Sequence, residues 1–230
     1  MKTIGLLGGL SWESSQEYYR IVNTEVKKRL GGLHSARCVL YSVDFAQVAV
    51  LQHEGDWRTL TEFMIEAARQ VERGGADLLL VCSNTMHKMA ERVAAAIDIP
   101  LVHIADAAAE AVRAQGLSTV GLLGTRFTME GGFYKDRIER KYGIKVLLPA
   151  TGDRETIHRV IYDELVQGTI LPASRAAFQE IIGRLAAAGA QGIILGCTEI
   201  PLLISQADSQ LPIFDTTLIH ARRAVDLALA

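Results

Sequence analysis

The chain repeats itself. Thr3-Ile-Gly-Leu-Leu-Gly-Gly9 returns as Thr119-Val-Gly-Leu-Leu-Gly-Thr125. Gly74-Gly-Ala-Asp-Leu-Leu-Leu-Val-Cys-Ser-Asn-Thr85 is echoed by Ala188-Gly-Ala-Gln-Gly-Ile-Ile-Leu-Gly-Cys-Thr198. The second motif carries a glycine turn, an apolar run of strand length and a polar tip, and each half presents the two motifs in the same order. Internal similarity of this kind means two halves of one design, and each half must then be an architecture that a strand-plus-tip unit can build.

Between the strands, apolar residues recur with helical spacing over 13–30, 59–73, 86–97, 105–115, 130–142, 154–166, 173–188 and 219–229. Further strands are expected at 38–43, 101–103, 145–148 and 213–214. Runs such as Leu78 to Val81 and Ile193 to Leu195 are apolar at every position, which suits parallel strands covered on both faces. Alternating strands and helices predict an α/β fold of two similar, doubly wound domains with parallel sheets related by pseudo-twofold symmetry. Ile99-Pro100-Leu101 resembles Leu211-Pro212-Ile213, so the expected division is 100–212 for one domain and 1–99 with 213–230 for the other, the last helix returning to the first half. Open α/β sheets bind ligands beyond the carboxyl ends of their strands, which places the expected site in a cleft between the halves.

A length of 230 residues supplies a core for two small domains. With a formal net charge of −2 there is no basic stripe for nucleic acid. The apolar run from Ile4 to Leu10 is too short to span a membrane or to read as an export signal, since it ends in Gly8-Gly9 and meets Trp12 and Glu13. Cys38, Cys82 and Cys197 form no CxxC pair, so a reduced, cytoplasmic protein is expected. The histidines at 34, 53, 87, 103, 158 and 220 show no zinc-binding spacing, and no metal is expected. Neither G-x-G-x-x-G nor a Gly-Lys-Ser/Thr phosphate loop is present.

The four strand tips are Gly8-Gly9-Leu-Ser11, Ser83-Asn84-Thr85, Gly124-Thr125 and Gly196-Cys197-Thr198-Glu199. Glycine admits a ligand close to the backbone, and hydroxyl and amide side chains bind carboxylate oxygens, so a small anion is the expected ligand. Cys197 stands just before helix-like sequence, where backbone N–H groups are expected to lower a thiol's pKa from about 8.5 and favour the thiolate. Alternation along a strand lets only one of Cys82 and Ser83 face a ligand. Alignment of the repeats sets Ser83 opposite Cys197 and matches Cys82 to Gly196, so Cys82 and Cys38 read as structural.

Gly8-Gly9-Leu-Ser-Trp-Glu-Ser14, Asn84-Thr85-Met-His87, Gly124-Thr125 and Gly196-Cys-Thr-Glu199, taken in order, resemble the aspartate/glutamate racemase superfamily, which includes glutamate racemase, hydantoin racemase, maleate isomerase and arylmalonate decarboxylase. The resemblance spans the whole length. It implies an isomerase, a racemase of acidic amino acids that needs neither pyridoxal phosphate nor any other cofactor, in which two groups flank the α-carbon, one removing a proton and the other delivering one to the opposite face. It implies Cys197 and Ser83 as the catalytic pair, and Asn84, Thr85, Thr125 and Thr198 as holders of the carboxylate and amino groups. Ser11, Gln52 and Glu199 join them as candidate substrate contacts, with His53, His87 and Tyr162 nearby. A homodimer with an amino-acid substrate, and no nucleic-acid or membrane partner, is the implied assembly.

The sequence departs from the family at Ser83, where a cysteine usually precedes the Asn-Thr pair. A hydroxyl is a far weaker acid than a thiol, so one face should react more slowly. Three readings follow: an asymmetric racemase, which the surrounding residues favour; a register shift that brings Cys82 to the ligand; or a single-cysteine lyase or isomerase resembling the decarboxylases. A non-catalytic anion-binding protein is the alternative of another class. Acidic specificity is less marked, because aspartate racemases can carry a lysine on the helix after a tyrosine, and here Val166 follows Tyr162.

Overall fold

A computed structural model describes residues 1–230 as two compact units, Met1–Ile104 with His220–Ala230, and Ala105–Ile219. The first unit carries a parallel three-stranded sheet ordered β2-β1-β3, with β1 at Ile4–Gly8, β2 at Cys38–Ser42 and β3 at Leu78–Val81. The second carries a parallel four-stranded sheet ordered β5-β4-β6-β7, from Lys145–Leu147, Thr119–Gly124, Ile193–Gly196 and Ile213–Asp215. Both repeated motifs are therefore neighbouring strands: β1 pairs β3 and β4 pairs β6.

The repeats also share a device that sets register. Asp77 accepts the Thr3 N–H at 2.6 Å and donates its own to the Thr3 carbonyl at 2.8 Å. Its counterpart Gln191 accepts the Ser118 and Thr119 N–H groups at 2.9 and 3.1 Å and donates to the Thr119 carbonyl at 2.9 Å. Side chains thus tie down the entrances of β1 and β4, the groups a strand end leaves without a ladder partner.

The helices are α1 (Trp12–Leu30), α2 (Phe45–Glu54), α3 (Trp57–Arg73), α4 (Ala90–Ala94), α5 (Ile104–Ala114), α6 (Arg126–Glu130), α7 (Lys135–Tyr142), α8 (Thr151–Asp163), α9 (Pro172–Ala187), α10 (Ile200–Leu203) and α11 (Thr216–Leu229). On α3, Leu60, Met64, Ala67, Ala68 and Val71 recur at helical spacing and join Leu7, Leu79 and Val81 of the sheet in the core of the first unit. Strands β1, β3 and β6 are buried throughout, whereas β2 is a half-exposed edge with Leu40 and Tyr41 in solvent.

Several expectations change. α2 lies where no helix is read from the sequence; Asp44 caps its start and Gly55 ends it in the left-handed conformation. The helix expected over 130–142 is two, broken at Gly131-Gly132, where Gly132 has φ +71°. The stretch 86–97 opens as a 3₁₀ turn, Thr85–Met89, before α4. The strand expected at 101–103 shrinks to one bridge from Leu101 to Leu79. The units divide at 104/105 and 219/220 rather than at 99/100 and 212/213, because Leu101 bonds back to the first sheet while β7 pairs with β6 in the second.

Candidate active site

In the first unit, the tip of β1 is built around serines. Gly9 adopts φ +78° and donates its N–H to Ser15 Oγ at 2.8 Å. Ser11 caps α1, its hydroxyl accepting the Ser14 N–H at 3.2 Å, which satisfies a first-turn donor the helix leaves free. Ser14 Oγ in turn donates to the Cys82 carbonyl at 3.2 Å and so ties this turn to the end of β3. Ser11 and Ser83 therefore stand on neighbouring strand tips.

The end of β3 turns sharply. The Cys82 N–H completes the ladder to the Leu7 carbonyl at 2.9 Å, and the Ser83 N–H folds back onto the Val81 carbonyl at 2.8 Å, a three-residue turn of the kind found at strand ends. Cys82 is fully buried and burial pushes its thiol far up, while Ser83 is half-buried. Cys82 thus continues the β3 ladder and lies in the core, one residue before the turn at Ser83. Asn84 and Thr85 are buried beside it, and His87 places Nδ1 2.7 Å from the Ser83 carbonyl oxygen. Gln52 is buried on α2, whereas His53 is exposed and bonds its own helix at Ala49.

In the second unit, Gly124 of β4 is level with Gly196 of β6, which puts Thr125 and Cys197 on adjacent tips. Thr125 caps α6, its hydroxyl accepting the Thr128 N–H at 3.3 Å. Thr216, at the start of α11, donates to the Leu195 carbonyl at 2.7 Å and anchors the end of β6; this support was not read from the sequence.

Cys197, Thr198 and Glu199 form the tightest cluster. Cys197 Sγ–H donates to Glu199 Oε2 at 3.0 Å, and Thr198 Oγ1–H donates to the same oxygen at 2.7 Å. Burial, and then the adjacent Glu199 carboxylate, hold the Cys197 thiol well above the ordinary thiol range. The lowered pKa expected from a following helix is thus reversed: α10 has only four residues, and a carboxylate in contact outweighs its backbone N–H groups. The resting group is a thiol, able to give a proton, with a carboxylate placed to receive one. Tyr162 packs edge-on against His158, ring centroids 4.8 Å apart, rather than standing alone. No group of three or more His, Cys, Asp or Glu side chains is placed to hold a metal ion, and no helix is long and apolar enough to cross a membrane.

Over its full length the chain is 51% identical to a candidate Asp/Glu racemase from Yersinia pestis, whose crystal structure it matches with a TM-score of 0.95 and complete coverage of both chains. An aspartate racemase homologue from Pyrococcus horikoshii is 33% identical, with a TM-score of 0.88 and complete coverage of both. The broad specificity amino-acid racemase RacX of Bacillus subtilis is 22% identical over 240 residues, covering 99% of this chain and 98% of its own. Residues 7–224 match the Asp/Glu/Hydantoin racemase family. The chain belongs to that family of racemases.

Proposed function

We propose that this protein racemises acidic amino acids, aspartate or glutamate, without pyridoxal phosphate or metal. Cys197 serves one face of the α-carbon and Ser83 the other. The observation that carries the reading is the bonding of the Cys197 thiol to the buried Glu199 carboxylate, in a chain whose relatives are named as amino-acid racemases.

The chemistry follows from that pair. As an acid, Cys197 delivers its Sγ proton to the α-carbon and becomes a thiolate. As a base, it first passes that proton to Glu199 Oε2, 3.0 Å away, and then takes the α-proton. An incoming ammonium group close to Sγ favours the product of that transfer, since a nearby positive charge stabilises the thiolate. Thr198 keeps the accepting oxygen in place, and Ser11, Gln52, Asn84, Thr85 and Thr125 are the proposed substrate contacts. The working form is a homodimer in a reducing cytoplasm, in keeping with three free thiols.

Ser83 makes the enzyme asymmetric in a restricted sense. The equilibrium constant of racemisation is unity, so kcat/KM must be equal in the two directions, and the asymmetry appears in kcat and KM separately. A hydroxyl at Ser83 also supports a second reading, a one-thiol lyase, which predicts loss of carbon dioxide from a substituted malonate.

The deciding experiment gives the purified protein L- and D-aspartate and L- and D-glutamate separately in deuterium oxide. The expected result is inversion with α-deuterium incorporation, lost at least about a thousandfold in Cys197→Ala. Inversion that survives this substitution refutes the assignment.

A further inference from the structure

Two imidazoles in the first unit are buried with both ring nitrogens engaged. His87 Nδ1 lies 2.7 Å from the Ser83 carbonyl oxygen, and its Nε2 faces the Ile104 N–H at 3.2 Å. A carbonyl only accepts and an amide N–H only donates, so one arrangement satisfies both bonds: a neutral ring with its proton on Nδ1. Ile104 opens α5, and its N–H is one of the first-turn donors a helix cannot satisfy internally. His220 is read in the same way: Nε2–H donates to the Val102 carbonyl at 2.7 Å and Nδ1 accepts from the Tyr18 hydroxyl at 2.8 Å. Its ring centroid is 5.6 Å from that of His87, and His103 packs on the other imidazole at 4.7 Å.

We propose that His87 is a positioning residue for Ser83. The α5 cap at Nε2 fixes which nitrogen carries the proton, and that proton clamps the Ser83 carbonyl. The Ser83 N–H is already held by Val81, so both peptide groups of the residue are pinned and the direction of its hydroxyl is set. Aligning the repeats puts Pro201 where His87 stands, so the clamp belongs to the serine half alone. An oxygen acid/base is useful only when its lone pair or proton is aimed at the reacting atom, and a displacement of about 1 Å can lower a rate about a hundredfold. This inference rests on the reading of Ser83 as the partner of Cys197.

The test compares two substitutions in deuterium oxide with the same four amino acids. His87→Gln keeps an acceptor near the Nε2 position and loses the donor to Ser83; His87→Asn keeps a donor near Nδ1 and loses the cap. Inversion requires both faces, whereas α-deuterium incorporation with retention requires only the face served by Cys197. The expected result is that His87→Gln lowers inversion by about ten- to a hundredfold with retentive exchange within about twofold of wild type, and that His87→Asn recovers most of the loss. Equal inversion in the two variants, or parallel loss of inversion and exchange, overturns the proposal, because a merely structural histidine predicts activity that follows stability. Long-range nitrogen–proton spectra of ¹⁵N-histidine protein supply a readout without substrate: a proton on Nδ1 of His87 is expected, and one on Nε2 removes the clamp. Absence of any exchange by the wild type with all four amino acids, by contrast, defeats the racemase reading itself.

Discussion

Gly9→Ala isolates the close backbone approach at the tip of β1. A Cβ at Gly9 would lie 2.1 Å from the Val43 carbonyl oxygen and 2.4 Å from its nitrogen, at φ +78°. Relieving those contacts moves the Val43 peptide by about 1 Å, given that non-bonded heavy atoms favour about 3.5 Å. Backbone cannot swing aside as a side chain does, and the Val43 N–H is bonded to the Gly8 carbonyl at 3.0 Å. Left-handed backbone in a residue with Cβ costs about 1–2 kcal/mol, the strained hydrogen bond about 1, and the overpacking about 1–3. A total of about 3–6 kcal/mol is a large part of the 5–15 kcal/mol typical of a folded protein. Gly75→Ala is the control, because Gly75 has φ +88° but nothing within 4 Å of an added Cβ; it should cost about 1–2 kcal/mol. The chain's two tryptophans, Trp12 and Trp57, both lie in the first unit, so urea unfolding followed by their fluorescence reports that unit. If the two variants lose equal stability, the close approach at Gly9 carries no weight.

Ser83→Cys should raise kcat in the direction Ser83 limits while kcat/KM stays equal in both directions; an unchanged kcat both ways would sever Ser83 from the chemistry. Burial holds the Cys197 thiol up most and the Glu199 charge adds to it; Glu199→Gln removes that second cause, so Cys197 should ionise at lower pH and alkylate faster at neutral pH, even as inversion falls for want of a proton acceptor. Alkylation slower than in the wild type would contradict the contact. Burial and the neighbouring His87 push His220 down to about 3, so the unfolded chain binds a proton below about 6.5 that the folded one refuses until about 3. Stability should therefore fall as pH drops through that window, with a limiting slope of about 1.4 kcal/mol per pH unit, and His220→Asn should remove one proton's worth of that slope in urea titrations; an identical slope rules the histidine out.

The repeat was the most informative signal because it is physical as well as textual: the same strand, turn and tip recur, and Asp77 and Gln191 clamp equivalent strand entrances. Strand tips were legible for the same reason, and Ser11, Ser83, Asn84, Thr85, Thr125 and Cys197 all stand at them. What was lost depended on side-chain direction or on short elements. Nothing in Cys-Thr-Glu says that the thiol is buried or that the carboxylate folds back on it, and the two together reverse the expected ionisation of Cys197. Helix α2, which carries Gln52, has a mixed run of Phe45 to Val50 with little helical periodicity, though Asp44 and Gly55 were available as start and stop signals. His87 reads from the sequence only as a residue near the Asn-Thr tip, since its two partners are a strand end and a helix start 17 residues later in the chain.

The first unit is closed by the chain's two ends. Lys2 bonds the Ala228 carbonyl at 2.9 Å, Tyr18 waits for His220, and Glu25 for Arg222. During synthesis Lys2, Tyr18 and Glu25 are made long before these partners, whereas the second unit, continuous from 105 to 219, has every strand of its sheet in hand before His220 emerges. The later-made half can thus finish folding before the earlier one, and the nascent chain carries a first unit without the partners of Lys2, Tyr18 and Glu25 until the final turns of α11 arrive, a window in which association between chains competes with completion.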